Sequence, residues 1–316
     1  MDGRSSMRPR LQTAARRLRR IAKALQSNVL GWLVVWTLKG LRRLDPDRTA
    51  DFAGRCMRAL GPLLPEHRLG RANLAAAFPE KSPDEIDAIL RGVWENLGRT
   101  GAEFPHLDRL WDFDPDGPPA QRVEFAHESL ERFVRLRDDG KPALIFAAHL
   151  GNWELPALAA ASHGLDTAIL YRRPNIAQID RAIGELRSVS MGELIATSLD
   201  APFKLIHALE RGAHVGMLVD QYFVRGVKVT FFGRPTNANP LIARLARQLA
   251  CPIHGVRVIR LPGHRFRVEL TEAIEPARDA QGELDVAATM QVITSVIEGW
   301  IRQYPEQWLW LHRRWR

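Results

Sequence analysis

An α/β fold is what this sequence predicts: a mostly parallel central sheet flanked by helices, preceded by a helical segment and an N-terminal membrane-associated helix. Three observations carry the prediction. From Ala143 onward, short apolar runs alternate with stretches of helical period, as expected of strands buried on both faces and joined by crossover helices. Between Asp45 and Arg109 the apolar positions recur at mixed three- and four-residue spacing, which is helical. Ahead of these, a run from Arg4 to Lys23 rich in arginine and free of acids leads into an uncharged block.

Four segments follow from these shifts in composition: residues 1–44 as a basic membrane anchor, 45–111 as a helical segment, 112–121 as a linker and 122–316 as the α/β domain. The uncharged block, Ala24 to Leu38, holds Trp32 and Trp36 and is followed by Lys39, Arg42 and Arg43. As a helix it would be about 22 Å long, short for a membrane span of about 20 residues. A secretory signal would need a small-residue cleavage site, which "LKGLRRLDP" does not offer. An organelle transit peptide would not need the tryptophans. An anchor that lies in the interface or barely spans accounts for both the tryptophans and the arginines. The plain alternative is a helix packed on the domain.

The helical segment breaks at Gly61-Pro62, Pro65, Pro79 and Pro83. Ser82-Pro83-Asp84-Glu85 supplies a cap, a first-turn proline and first-turn acids. The stretch from Asp112 to Gln121, dense in Pro, Asp and Gly, is the linker. Beyond it, strands are expected at Ala143 to Ala148, Thr167 to Tyr171, Glu193 to Thr197 and Val215 to Asp220. Helices follow them, ending near Gly164, Arg187 and Arg211. "KVTFFG" alternates like a half-buried strand and "NPLIARLARQLA" is helical. "IHGVRVIRL" and "RFRVELTEAI" form an antiparallel pair about Pro262-Gly263, at or near an edge. Val286 to Gln303 closes the chain with a helix.

The chain has 316 residues, 46% hydrophobic and 26% charged, which is ordinary for a folded protein. Its formal charge of +9 is not, and favours an anionic partner. Only two cysteines occur, Cys56 and Cys251, so neither a disulfide scaffold nor a cysteine zinc site is supported.

Open α/β sheets place their sites beyond the carboxyl ends of the strands. There the sequence delivers His149, Tyr171-Arg172 and Asp220, and Gly151-Asn152 turns the chain so that Glu154 can face back toward His149. The pair then reads as a general base oriented by a carboxylate. The plain alternative for a histidine at a strand end is a satisfied, partly buried residue. Phe146 to Leu155 contains no Ser or Cys, so the base would act on a substrate hydroxyl or water. A zinc site would ask for His-Glu-x-x-His, and only one histidine lies here. Trp308, Trp310 and Trp315 interleave with Arg313, Arg314 and Arg316, as in a base-stacking surface. Nucleic-acid module spacing is missing, and a membrane-interface belt or packing of the tail fits better. Phe231-Phe232 reads as core or as lining for an acyl tunnel.

"AAHLGNWE" resembles the H-x-x-x-x-[DE] signature of the glycerolipid acyltransferase superfamily. Further motifs are similar to those of the late (secondary) acyltransferases of lipid A biosynthesis, lauroyl/myristoyl type. They are His149 to Glu154, Tyr171-Arg172, Arg187 with Gly192, Leu194 and Ile195, Asp220-Gln221, Phe231 to Pro235, and Pro305 to Trp315. The resemblance runs over essentially the whole chain. It implies transfer of a fatty acyl group from acyl carrier protein or acyl-CoA to a hydroxyl of a phosphorylated glycolipid, without cofactor or metal. It also implies the cytoplasmic face of a bacterial inner membrane and no nucleic-acid partner. His149 and Glu154 would be catalytic, with Arg172, Arg187 and Asp220 in substrate binding. A lysophospholipid acceptor is the alternative within enzymes, and a non-catalytic basic membrane-binding protein the alternative outside them. Arg187 and Gly192 stand one residue further apart than the family's "R-x-x-x-G", and "R-N-x-R-G" is missing, which bears on the acceptor.

Overall fold

A computed structural model describes residues 26–118, 121–188 and 191–315. Residues 26–41 form α1 as far as described; Ala24 and Leu25 of the uncharged block, and the basic run before it, lie outside the described residues. Among the described residues no helix is long and apolar enough to cross a membrane. One face of α1 lies against the protein, where Gln178 Nε2 donates to Asn28 Oδ1 at 2.9 Å; just beyond the end of the helix Arg42 grips Asp108 with two bonds of 2.9 and 2.8 Å. The other face leaves Val29, Leu33, Trp32 and Trp36 more than half exposed.

The helical segment resolves into α2 (Pro46–Leu60), α3 (Pro65–Ala77), α4 (Pro83–Glu103) and the short α5 (Leu107–Leu110). Each of the first three opens on a proline, whose missing N–H is an orphan in a first turn anyway. Ser82 and Glu85 cap α4 reciprocally. The apolar side of α4, including Leu90, Val93 and Trp94, is buried in one core with the strands Leu144–Ala147 and His214–Leu218. The helical segment therefore forms a wall of the sheet's own core.

Among the described residues, seven strands make up the main sheet: β1 (Val123–Phe125), β2 (Leu144–Ala147), β3 (Thr167–Tyr171), β4 (Glu193–Ala196), β5 (His214–Leu218), β8 (Ile253–Leu261) and β9 (Arg265–Leu270). Their spatial order is β1-β9-β8-β2-β5-β3-β4. All neighbours pair in parallel except β8 with β9. The crossover helices are α7 (Leu155–Ser162), α8 (Ala177–Ser188) and α9 (Ala201–Glu210), with α6 (His127–Asp138), α10 (Leu241–Leu249) and α11 (Val286–Gln303) completing the layers. The expected mixed α/β sheet is present, with three differences. Sequence reading passed over β1 and α6; β1 is only three residues long, and it covers the edge that the β8–β9 pair was expected to form. Val227–Phe231, β6, lies outside the main sheet and, among the described residues, pairs only with β7, Arg234–Ala238. β7 contains a proline, a residue that weighs against a strand assignment. It is tolerated because the hairpin has two strands and both are edges.

Candidate active site

Parallel pairing sets the height of the site. Ala147 of β2 is the register partner of Leu218 of β5, so two residues further along, His149 and Asp220 emerge side by side. The His149 backbone N–H donates to Asp220 Oδ2 at 2.9 Å and its ring Nδ1 lies 2.8 Å from Oδ1. Trp308 Nε1 donates to Oδ2 at 2.8 Å. Burial disfavours the Asp220 carboxylate, but the charge and hydrogen bonds of His149 outweigh it and hold the group well below the usual carboxylate range. On His149, burial disfavours the imidazolium. The charge and hydrogen bond of Asp220, with the charge of Glu154, overcome it and leave the pKa raised. Nδ1 is thereby the proton-bearing nitrogen facing Asp220. Nε2 faces the open side, 3.4 Å from Gln221 Nε2.

The turn after His149 is fastened from two directions. Gly151 has φ +60°, and a Cβ there would collide with the Val258 carbonyl oxygen; only glycine fits. Its N–H donates to Gln307 O at 3.0 Å, while its carbonyl accepts from Asn96 Nδ2 at 3.1 Å and Thr100 Oγ1 at 3.2 Å. Asn152 Nδ2 donates to Glu103 Oε2 at 2.8 Å, and Glu103 is in turn paired with Arg260. Gln307 brackets β8, accepting from Arg260 N at 2.8 Å and donating to its carbonyl at 3.0 Å.

Glu154 does not make the contact expected of it. Its carboxylate takes Arg187 bidentately, with Nε at 2.9 Å from Oε2 and NH2 at 2.6 Å from Oε1. The partner that orients His149 is Asp220, because a neighbouring strand in register stands closer to the ring than the residue opening α7. Glu154 reaches His149 through its charge alone. Arg187, in the last turn of α8, lies over the rings of Phe104 (5.5 Å) and Tyr171 (5.8 Å), so its guanidinium is fixed on three sides. Arg172 is exposed at the end of β3, and among the described residues it makes no ion pair.

His149, Trp153, Glu154, Arg172, Arg187 and Gln221 surround the mouth of a cavity of about 630 Å³. Its floor is one face of the sheet: Ile145 and Ala147 of β2, Gly216 of β5 and Ile169 of β3. Its roof includes Phe133 and Leu136 of α6 and Pro156 and Ala160 of α7. Gly216 keeps the floor open midway, where a Cβ would meet Ile169 Cδ1 at 2.8 Å. The described residues lining it include no Ser or Cys. Among the described residues no group of three or more His, Cys, Asp or Glu side chains is placed to hold a metal ion.

Phe231 and Phe232 are not part of this cavity. They pack on Trp308, Trp315, Trp310 and Phe78. Trp308 and Trp310 are likewise buried, and Arg314 is enclosed with them. Arg314 NH1 donates to Thr236 Oγ1 and Asn237 O, and burial lowers its pKa to about 10. The aromatic tail is thus packing that reaches the site through Gln307 and Trp308, and no local pattern distinguishes these two from the rest of the tail. Asn96 and Glu103 were missed for the same reason: on α4 they look like any polar helix positions.

The sequence model of the bacterial lipid A biosynthesis acyltransferases matches residues 19–316, and the chain belongs to that family. A search of curated proteins finds no match.

Proposed function

We propose, with membership of the lipid A acyltransferases as the premise, that the chain is a late (secondary) acyltransferase of the lauroyl/myristoyl type. It transfers a fatty acyl chain from acyl carrier protein, or from acyl-CoA, to a hydroxyl of a phosphorylated lipid A precursor. The observation that carries the reading is His149 itself: Nδ1 is held by a buried carboxylate while Nε2 faces the head of a long apolar cavity. His149 Nε2 takes the proton of the acceptor hydroxyl as its oxygen attacks the thioester carbonyl. A C–O bond forms, the C–S bond breaks, and the departing sulfur receives the proton from the imidazolium. Asp220 fixes the tautomer and stabilises the imidazolium. Arg187, held rigid by Glu154, and the exposed Arg172 bind acceptor phosphate.

Membrane attachment at the cytoplasmic face of the inner membrane belongs to the same proposal. It is supported by the exposed Trp32 and Trp36 of α1, and by Leu199, Phe203 and Val224 exposed after the carboxyl ends of β4 and β5. Basic Arg172, Arg173 and Arg225 share that rim of the sheet, a mixture suited to an anionic lipid surface. The test is mass spectrometry of lipid A from cells with and without the gene. Loss of one secondary acyl chain is expected. Intact lipid A beside altered phospholipids would overturn the reading in favour of a lysophospholipid acceptor.

A further inference from the structure

The cavity that begins at His149 is apolar along its length but not at its far end. Thr167 opens β3 and His214 opens β5, and the two are register partners on adjacent strands. Both line the cavity and both are 4% exposed. Thr167 Oγ1 and His214 Nε2 are each buried without a hydrogen-bond partner among the described residues. The imidazole is hydrogen-bonded to the Leu136 backbone; with Nε2 unpartnered, that bond falls to Nδ1–H, and Nε2 is left as a lone-pair acceptor. Burial lowers the pKa of His214, in keeping with a neutral ring. Buried polar atoms are otherwise nearly always paired, so two orphans on register partners that both line one cavity ask for an explanation.

We infer that the Thr167–His214 pair forms a polar stop for the acyl chain, a subsite that holds one hydroxyl-sized group and rejects a terminal methyl. This rests on the acyl-transfer reading and deepens it. A single oxygen can donate to His214 Nε2 while accepting from the Thr167 hydroxyl, as a water or a chain hydroxyl does. A saturated chain long enough to reach the pair displaces that oxygen and leaves both atoms unpaired in an apolar wall. Met191 and Leu136 close the space around them. The position of the stop follows from the strands. Asp220, which marks the level of His149, lies six residues beyond His214, or about 20 Å at roughly 3.3 Å per residue. An extended alkyl chain on ~1.5 Å bonds advances roughly 1.25 Å per carbon, so the distance corresponds to about sixteen carbons. Chains a few carbons shorter avoid the polar pair.

The experiment compares transfer rates for donors of about twelve and about sixteen carbons, using the full chain in detergent. Thr167→Val keeps the shape and removes the hydroxyl; His214→Leu removes the ring acceptor. Each is expected to raise the sixteen-to-twelve-carbon rate ratio by roughly tenfold, the consequence of no longer stranding a buried polar group. A ratio within about twofold of wild type in both variants would mean that the end is purely steric and would overturn the inference. A second arm needs no variant: a sixteen-carbon donor with a terminal hydroxyl should be used better by the wild-type protein than its unsubstituted counterpart, and equal or poorer use sinks the polar stop. If the wild type used no donor of any length, the acyl-transfer reading would fall first, an outcome distinct from an unchanged ratio.

Discussion

Replacing Asp220 by asparagine changes one atom and tests the assignment of His149 as base. Asp220 accepts three N–H groups: Oδ2 receives the His149 backbone and Trp308, and Oδ1 faces His149 Nδ1. An amide has one acceptor oxygen, and keeping two of the three bonds places it at Oδ2. The NH2 then confronts Nδ1. Two donors cannot face each other, so the imidazole proton moves to Nε2, the atom proposed to accept a proton from substrate. The same carboxylate-to-amide change in Ser-His-Asp hydrolases lowers kcat about 10⁴-fold, equivalent to roughly 5 kcal/mol of barrier, and a loss of that order is expected here. The sign with pH is also set. The proposed base has to be neutral to act, so the rate is expected to fall as pH drops through the His149 pKa, which Asp220 helps to raise. Without that charge the acid limb of the residual rate moves to lower pH. The assay follows thiol release from the acyl thioester across the pH range, with lipid product measured in parallel. Activity within about tenfold of wild type, or an acid limb displaced upward, would refute the argument.

Other predictions address the surroundings. Arg187→Lys keeps the charge but loses the bidentate grip on Glu154; KM for the phosphorylated acceptor should rise at least about tenfold with a smaller change in kcat, and a kcat-only effect would count against phosphate binding. Gly216→Val fills the floor between Ile145 and Ile169, four residues from Asp220 or about 13 Å from the level of the base; donors longer than about ten carbons should lose activity steeply while shorter ones lose little, as read from rates over a chain-length series. Trp308→Phe removes one donor to Asp220 and makes the carboxylate more basic; the acid limb should move to higher pH, opposite to Asp220→Asn, and an unmoved limb would show that the indole N–H is only packing. Trp32→Ser combined with Trp36→Ser should weaken co-sedimentation with anionic vesicles several-fold without changing the melting temperature, because both side chains are more than half exposed.

Much of the fold was legible because buried parallel strands announce themselves as short apolar runs. Thr167 to Tyr171 and Val286 to Gln303 were placed to the residue, and the capping box at Ser82 was visible as a pattern. β1, α6 and β7 were not. β1 is three residues long and β7 is interrupted by proline, so neither shows a clear alternation; α6 does repeat Leu130, Phe133 and Leu136 at helical spacing, beneath a surface rich in charge. At the site, all five residues singled out from sequence reach the cavity mouth or its immediate support. What sequence could not supply was the pairing among them. Spacing along a chain reports neighbours within one element, whereas the bond between His149 and Asp220 is made across 71 positions by the register of two strands.

That pairing alters what the H-x-x-x-x-E spacing means in this chain. If Glu154 oriented His149, the motif would be self-contained and the rest of the rim would only bind substrate. With Asp220 on Nδ1 and Glu154 on Arg187, the short motif instead carries one member of each of two ion-paired units and holds them a fixed turn apart. The turn is rigid because Gly151 and Asn152 are fastened to α4 and to the tail before Trp308. In the proposed mechanism one unit moves a proton and the other presents a fixed cation beside it, and that turn sets their separation. Such an arrangement suits a reaction in which an acceptor phosphate and an acceptor hydroxyl must be held at once. It also predicts that a change at Gly151 would damage proton transfer and acceptor binding together, whereas changes at Asp220 or Arg187 would divide them.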